Sequence, residues 1–421
     1  MYLETSEKLL TFIENSPSCF HAVDNIKHFL ISSGYQELRE DEKWNIEQGG
    51  KYFVTRNDSS LIAFTIPHEK LESFKITATH SDSPTFKVKE NPENCDGKYI
   101  RINVEPYGGG IYNTWLDRPL SVAGRVLVKQ GDEYVTKLVR VDKNLLMIPS
   151  LAIHVNPQAN KGYVFDPKKD MLPIFGSQEA EGLFMEQIAE SAGVDKSSIL
   201  GHDLFLCERT GSKIWGVADE FISSGRIDNL QCTFATLMGF IMAKKEKHGA
   251  IYCVFDNEEV GSSTKQGAAS TFLSYVLERI AFCLGMTDEE LKVAIAKSFM
   301  VSADNAHAYH PAHGDVADGL NSPLINGGVV IKYNANQKYC TDGVSAAIFK
   351  DLCNEAEVPY QIYTNRADMP GGSTLGNISN TKVSMDTVDV GLPQLAMHSA
   401  YETAGTKDTE YLIKVISKFF K

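Results

Sequence analysis

The sequence lacks any CxxC pair, any basic surplus and any low-complexity stretch. Its eight cysteines (Cys19, Cys95, Cys207, Cys232, Cys253, Cys283, Cys340, Cys353) are scattered, without the spacing of a disulfide framework or a thiolate zinc site. Several lie in apolar runs, such as Cys253 in AIYCVF and Cys283 in IAFCLG. Buried reduced thiols in a reducing compartment are therefore expected. A formal net charge of −13 argues against nucleic acid or an anionic membrane as partner, because both favour a basic face. No run approaches the roughly 20 apolar residues of a membrane span. The opening MYLETSEKLLTFIENS is amphipathic and carries acids, unlike a basic segment leading into an apolar one, so a cytoplasmic location is expected.

What is present is 421 residues with 43% hydrophobic and 23% charged side chains, enough for a large core and more than one domain. Leu9, Leu10, Phe12 and Ile13 recur at helical spacing, and AVDNIKHFLISSG predicts a second helix ended by Gly34. KYFVTR, SLIAFTI and FKITATH read as strands. From about residue 89 to 220, β-like segments such as YIRINVEP, GRVLVKQ and TKLVRV alternate with turns, and helices become scarce. Helix–strand alternation then returns: a helix over residues 230–247, strand AIYCVF, a helix over 262–285 and strand SFMVSAD. The expected fold is a three-layer α/β domain, residues 1–88 and 221–421, interrupted by a β-rich insertion, residues 89–220.

Histidines and carboxylates gather just after the predicted strands. His80 and Asp82 follow FKITAT, Glu258 and Glu259 follow IYCVFDN, and Asp304 follows SFMVSA. Asp228 lies where a loop enters a long helix, and His398 in LPQLAMHSAYE near another helix start. Open α/β sheets bind ligands outside the carboxyl ends of their strands, so these segments converge on one rim. Imidazole and carboxylate without thiolate suit zinc, manganese or cobalt. Two histidines and three carboxylates exceed the needs of one tetrahedral ion and fit two ions about 3.5–4 Å apart, bridged by one carboxylate. The paired glutamates divide the work: one binds metal, and its neighbour stays free as a general base for the attacking water.

In chain order, THSDSPTFKVK, GRIDNL, FDNEEVGSS, SADNAHAYHP and PQLAMHSAYE resemble the aspartyl aminopeptidase family of di-zinc metallopeptidases. The resemblance extends to SPSCFHAV, YGGGIYNTWLDRPLSVAGR, IPSLAIHVN, GGVVIKYNANQKY and MPGGSTLG, and so covers nearly the whole chain. It implies that His80 and Asp304 hold one zinc, that Glu259 and His398 hold the other, and that Asp228 bridges them. Glu258 would be the general base and Asp82 the partner that orients His80. The resemblance also implies that His154 reaches a neighbouring subunit's active site and that Lys332 contacts an acidic side chain at the substrate's N-terminus. It further implies a tetrahedral particle of twelve subunits, with the insertion making dimer contacts. Without it, His154 reads as an ordinary strand residue and Lys332 as a solvated lysine.

Other features carry less. His307, His310 and His313 are interrupted by Pro311 and Gly314 and read as loop histidines, with His307 nearest the pocket. The glycines at 108–110 lack the setting of a phosphate loop and read as a tight turn. The MPGGSTLG segment offers backbone amides and Ser373 or Thr374 to a substrate pocket. The expected activity is removal of an N-terminal residue, Asp or Glu, from peptides. A neutral-residue aminopeptidase, an amide deacylase and a metal-bearing shell protein remain as alternatives.

Overall fold

Side chains of the strand Gly249–Phe255 divide between two cores, as the two-residue period of a strand dictates. Tyr252 and Val254 pack with Leu9, Ile26, Leu230, Phe349 and Leu412 from helices on one face. Ile251, Cys253 and Phe255 pack with Phe272, Val276, Ile280 and Leu291 from helices on the other. A sheet apolar on both faces has to be covered twice, and the result is a three-layer α/β/α arrangement. The computed structural model describes residues 2–244 and 247–421.

This sheet has nine strands, in the order Gln36–Leu38, Lys51–Arg56, Ser60–Thr65, Gly249–Phe255, Phe74–His80, Phe299–Ala303, Asp386–Gly391, Val329–Tyr333, Tyr360–Thr364. The four from Gly249–Phe255 to Asp386–Gly391 are mutually parallel, so their carboxyl ends share one rim. A six-stranded antiparallel sheet is built from Glu133–Arg140, Leu120–Gln130, Ile199–Glu208, Thr85–Cys95, Tyr99–Tyr107 and Ile174–Ser177. It has its own core around Phe86, Trp115, Val122, Phe184 and Leu204. Arg125 ties it to the larger sheet: Nη1 donates to the Asn57 carbonyl at 2.7 Å, and the guanidinium stacks 4.2 Å from the Phe20 ring centre. All eight cysteines are free. Among the described residues no helix is long and apolar enough to cross a membrane.

Several expectations need correction. The helix expected over 262–285 spans only Phe272–Cys283. The preceding residues fold back instead: Asp256 N–H donates to the Gln266 carbonyl and Ala269 N–H to that of Ser262. At Gly267 a Cβ would lie 2.2 Å from the Ser262 carbonyl oxygen, which only glycine avoids. The helix expected over 230–247 is Ile227–Met242; residues 245–246 lie outside the described part. A third, five-stranded sheet escaped notice because its strands, such as Ala306–His307 and Pro393–Leu395, are too short to show periodicity.

His21, in the SPSCFHAV segment, is buried, with Nδ1 2.8 Å from the Ser18 hydroxyl. Burial, helped by the charges of Arg140 and Arg226, pushes its pKa down to about 4 from 6.5. A depressed histidine costs nothing where both states are neutral. The cost grows as pH falls below the unfolded value and is complete at the folded one. Stability should thus drop by roughly 3 kcal/mol from this group between pH 6.5 and 4. In urea titrations His21→Leu should lack that part of the slope, and an unchanged slope would contradict the assignment.

Candidate metal centre and active site

His80 ends the strand Phe74–His80 and pairs in register with Phe255, so both strands finish at the same rim. Asn257, at φ 61°, turns the chain into Glu258–Val260 and brings Glu258 and Glu259 over that rim. Asp304 follows Phe299–Ala303. Asp228 lies in the first turn of Ile227–Met242, where it and Asn229 leave helical angles; the peptide between them is cis. His398, at φ 67°, sits in the turn joining strands Pro393–Leu395 and Glu402–Gly405, which pair antiparallel. It is therefore not at a helix start, and the next helix begins only at Asp408.

These residues line one cavity of about 180 Å³. Asp228 lies between the two imidazoles: Oδ1 is 3.6 Å from His80 Nε2, and Oδ2 is 3.5 Å from His398 Nε2. Asp304 Oδ1 is 3.5 Å from His80 Nε2, and Glu259 Oε2 is 3.4 Å from His398 Nε2. Donor atoms of His80, Asp228 and Asp304 lie within 4.8 Å of one another, as do those of Asp228, Glu259 and His398. Glu258 falls in a third such group with His80 and Glu259. Asp228 Oδ1 is buried and has no hydrogen-bond partner among the described residues. Carboxylate and imidazole donors with a buried oxygen left over are the chemistry of a cation site.

The outer contacts are backbone-directed. His80 Nδ1 donates to the Asp82 carbonyl at 3.1 Å, with Asp82 Oδ1 at 3.4 Å. The Asp82 carboxylate accepts Glu258 N–H on one oxygen and Glu259 N–H on the other, both at 3.1 Å. Buried Glu402 makes a matching pair, accepting Asp228 N–H at 3.0 Å and His398 N–H at 2.8 Å.

Charge is unbalanced without a cation. Burial raises Glu258 to about 8, against the pull of His80. Burial and then the Asp228 charge push Glu259 well up. His398 resists its burial and rises to about 10, through hydrogen bonding to Asp228 and the charge of Glu259. Asp304 goes the other way: burial would raise it, but Lys332 and His80 outweigh burial and hold it well below the ordinary carboxylate range. Such crowding of like charges persists in folded proteins where a cation or a catalytic task requires it.

A description of the Aminopeptidase I zinc metalloprotease (M18) family matches residues 12–420. The chain belongs to the M18 family. It is a zinc metalloaminopeptidase by that membership. This M18 chain is 46% identical to a probable M18 family aminopeptidase 2 of Clostridium acetobutylicum, over 99% of each chain. It is 38% identical to aspartyl aminopeptidase 1 of Schizosaccharomyces pombe, over 98% of this chain and 93% of that one. Its fold superposes with TM-score 0.96 on Ape4 in an Ape4–Nbr1 complex, at 37% identity over 100% of this chain and 86% of the other. The S. cerevisiae mApe1 dodecamer gives 0.87 at 27% identity, over 100% and 97%.

The remaining expected residues of the M18 chain fall in two places. Lys332 is buried on the cavity wall, donating to the Asn305 carbonyl at 2.8 Å and lying 3.8 Å from Asp304 Oδ2. It is not a solvated lysine. Ser373 also lines the cavity, its hydroxyl donating to Asn377 Oδ1, and His307 lies on the same wall. His154 is elsewhere, in the exposed turn Ile153–Val155 joined to the six-stranded sheet, and is not a strand residue. Two functional side chains went unnoticed in the sequence. Glu402 closes PQLAMHSAYE, four residues after His398, and Tyr107 opens the glycine run.

Replacing Glu402 by Gln should turn one acceptor into an NH₂ facing Asp228 N–H or His398 N–H. Zinc affinity, read by chelator competition, should fall roughly 10- to 100-fold. An unchanged affinity would remove the role given to Glu402.

Proposed function

We propose that this chain removes an N-terminal aspartate or glutamate from peptides, with two zinc ions per subunit. The observation that carries this reading is the Asp228 carboxylate, whose two oxygens face imidazoles from different segments, at 3.6 and 3.5 Å. His80 and Asp304 would hold one ion and Glu259 and His398 the other, with Asp228 shared. Manganese or cobalt would suit the same donors. Bound zinc would supply Lewis acidity to the scissile carbonyl and to water.

The chain's own groups supply the rest. Glu258 stands beside the proposed ligands, its carboxylate within reach of His80 and Glu259, and burial raises its pKa. A base poised there can take a proton from water and return it to the leaving amine. The Asp82 carboxylate fixes the backbone beneath both glutamates, so base and ligand keep their separation. The acidic wall favours the ammonium group of a free peptide N-terminus over a blocked one.

Selectivity for acidic residues rests on Lys332 and on the likeness to the S. pombe aspartyl aminopeptidase. The ammonium has three donors; one is bound to Asn305, which leaves others for a substrate carboxylate. We further propose that residues 89–220 form the dimerisation domain of a dodecamer like that of mApe1, in which His154 enters a neighbour's cavity. Ser373, which lines the same cavity, would contact the substrate's first residue.

Glu258→Gln should retain zinc yet lose about 10²- to 10⁴-fold in kcat. Full activity would remove the base. Lys332→Met should lower kcat/KM for N-terminal Asp and Glu substrates far more than for Leu. An equal loss on all three would instead mark Lys332 as support for Asp304 alone.

A further inference from the structure

The glycine run read from sequence as a tight turn does more than reverse the chain. Tyr107 ends the strand Tyr99–Tyr107 of the six-stranded sheet, and the backbone then passes over the rim of the other sheet. The Tyr107 hydroxyl donates to Asp82 Oδ2 at 2.8 Å. Its direction is fixed: Asn257 Nδ2 donates to the same hydroxyl at 2.8 Å, so the tyrosine proton must point away, towards Asp82. The Asn257 amide is itself oriented, because its Oδ1 accepts from Thr264 Oγ1 and Gln266 Nε2. Two residues on, the Gly109 carbonyl accepts from His398 Nδ1 at 3.0 Å. A carbonyl cannot donate, so Nδ1 carries the hydrogen and Nε2 is the nitrogen turned towards Asp228 and Glu259. Ile111 N–H then donates to the His398 carbonyl at 3.0 Å.

Gly108 explains why the run is glycine. At φ +73° it lies where side chains are strained, and a Cβ there would come 3.1 Å from Glu259 Cβ and 3.3 Å from the Glu259 carbonyl oxygen.

We propose that the segment 107–111, supplied by the six-stranded sheet, is a positioning strap that sets the geometry and zinc affinity of the centre built on the nine-stranded sheet. Tyr107 acts through Asp82 on Glu258 and Glu259, Gly109 acts on the tautomer and orientation of His398, and Gly108 is the contact face against Glu259. The inserted sheet thus completes the site of its own chain. The inference rests on the metal reading above.

The test is zinc titration of the full-length metal-free protein against a chromophoric chelator. The variants are Tyr107→Phe, Gly108→Ala and, as control, Tyr134→Phe on an exposed tyrosine of the same sheet. Phenylalanine keeps the edge-on packing of ring 107 against Phe205, with centroids 5.5 Å apart, and removes only the hydroxyl. Tyr107→Phe should bind zinc roughly 10- to 100-fold more weakly, with kcat depressed at limiting zinc, restored by excess zinc, and KM unchanged. Metal-free Tyr107→Phe should unfold at a modestly lower temperature, as the loss of a buried hydrogen bond requires, and the further stabilisation by added zinc should shrink. Gly108→Ala should show the same loss and decides the matter if Tyr107→Phe does not fold. Tyr134→Phe should match the wild type. Wild-type zinc affinity in folded Tyr107→Phe overturns the strap alone, whereas a wild-type protein that takes up no zinc overturns the metal reading and the strap together.

Discussion

Asp228 sets its two carboxylate oxygens towards two histidines that are 318 positions apart, His80 and His398. Every other feature of the cavity follows from keeping that carboxylate there. An anion buried to 3% exposure, with one oxygen lacking a hydrogen-bond partner among the described residues, is costly unless something cationic meets it. Two imidazoles partly meet the need, and a pair of divalent ions would meet it in full. The parallel strands deliver His80 and Asp304 to one side, and the hairpin carrying His398 closes the other.

The fold does not hold the proposed ligands mainly through side-chain contacts between them. It fixes their backbones with two further buried acids. Asp82 takes the amides of Glu258 and Glu259, and Glu402 takes those of Asp228 and His398. A carboxylate that accepts two amides is a short rigid template, and the residues it joins lose much of their freedom to rearrange. This accommodates the left-handed angles at Asn257 and His398, which a free loop would relax. Burial is the main reason Glu258 is pushed upward, and the charge of the Asp82 clamp adds to it.

Much of this was legible in the sequence. The apolar runs in FKITATH, AIYCVF and SFMVSAD read as strands, and all three are buried along nearly their whole length within the nine-stranded sheet. The acids after those strands marked the rim. The convergence of the five segments, the roles suggested for Glu258 and Glu259, and the suspicion about Lys332 came from residue type and placement together with family likeness. What escaped was set by long-range backbone bonding. The chain after Glu259 stays out of a helix because its Gln266 carbonyl accepts the Asp256 N–H at the strand end, and the hairpin around His398 is made of strands too short to carry a period. Glu402 and Tyr107 gave no signal of their own, since a buried acid or tyrosine looks ordinary until its partners are known.

The shared carboxylate is tested most directly by counting zinc on the full-length protein and on Asp228→Asn by titration with elemental analysis. The account expects two ions per wild-type chain and weakening at both positions together in Asp228→Asn. A single ion in the wild type, or a variant that loses one ion and keeps the other at full affinity, would contradict it.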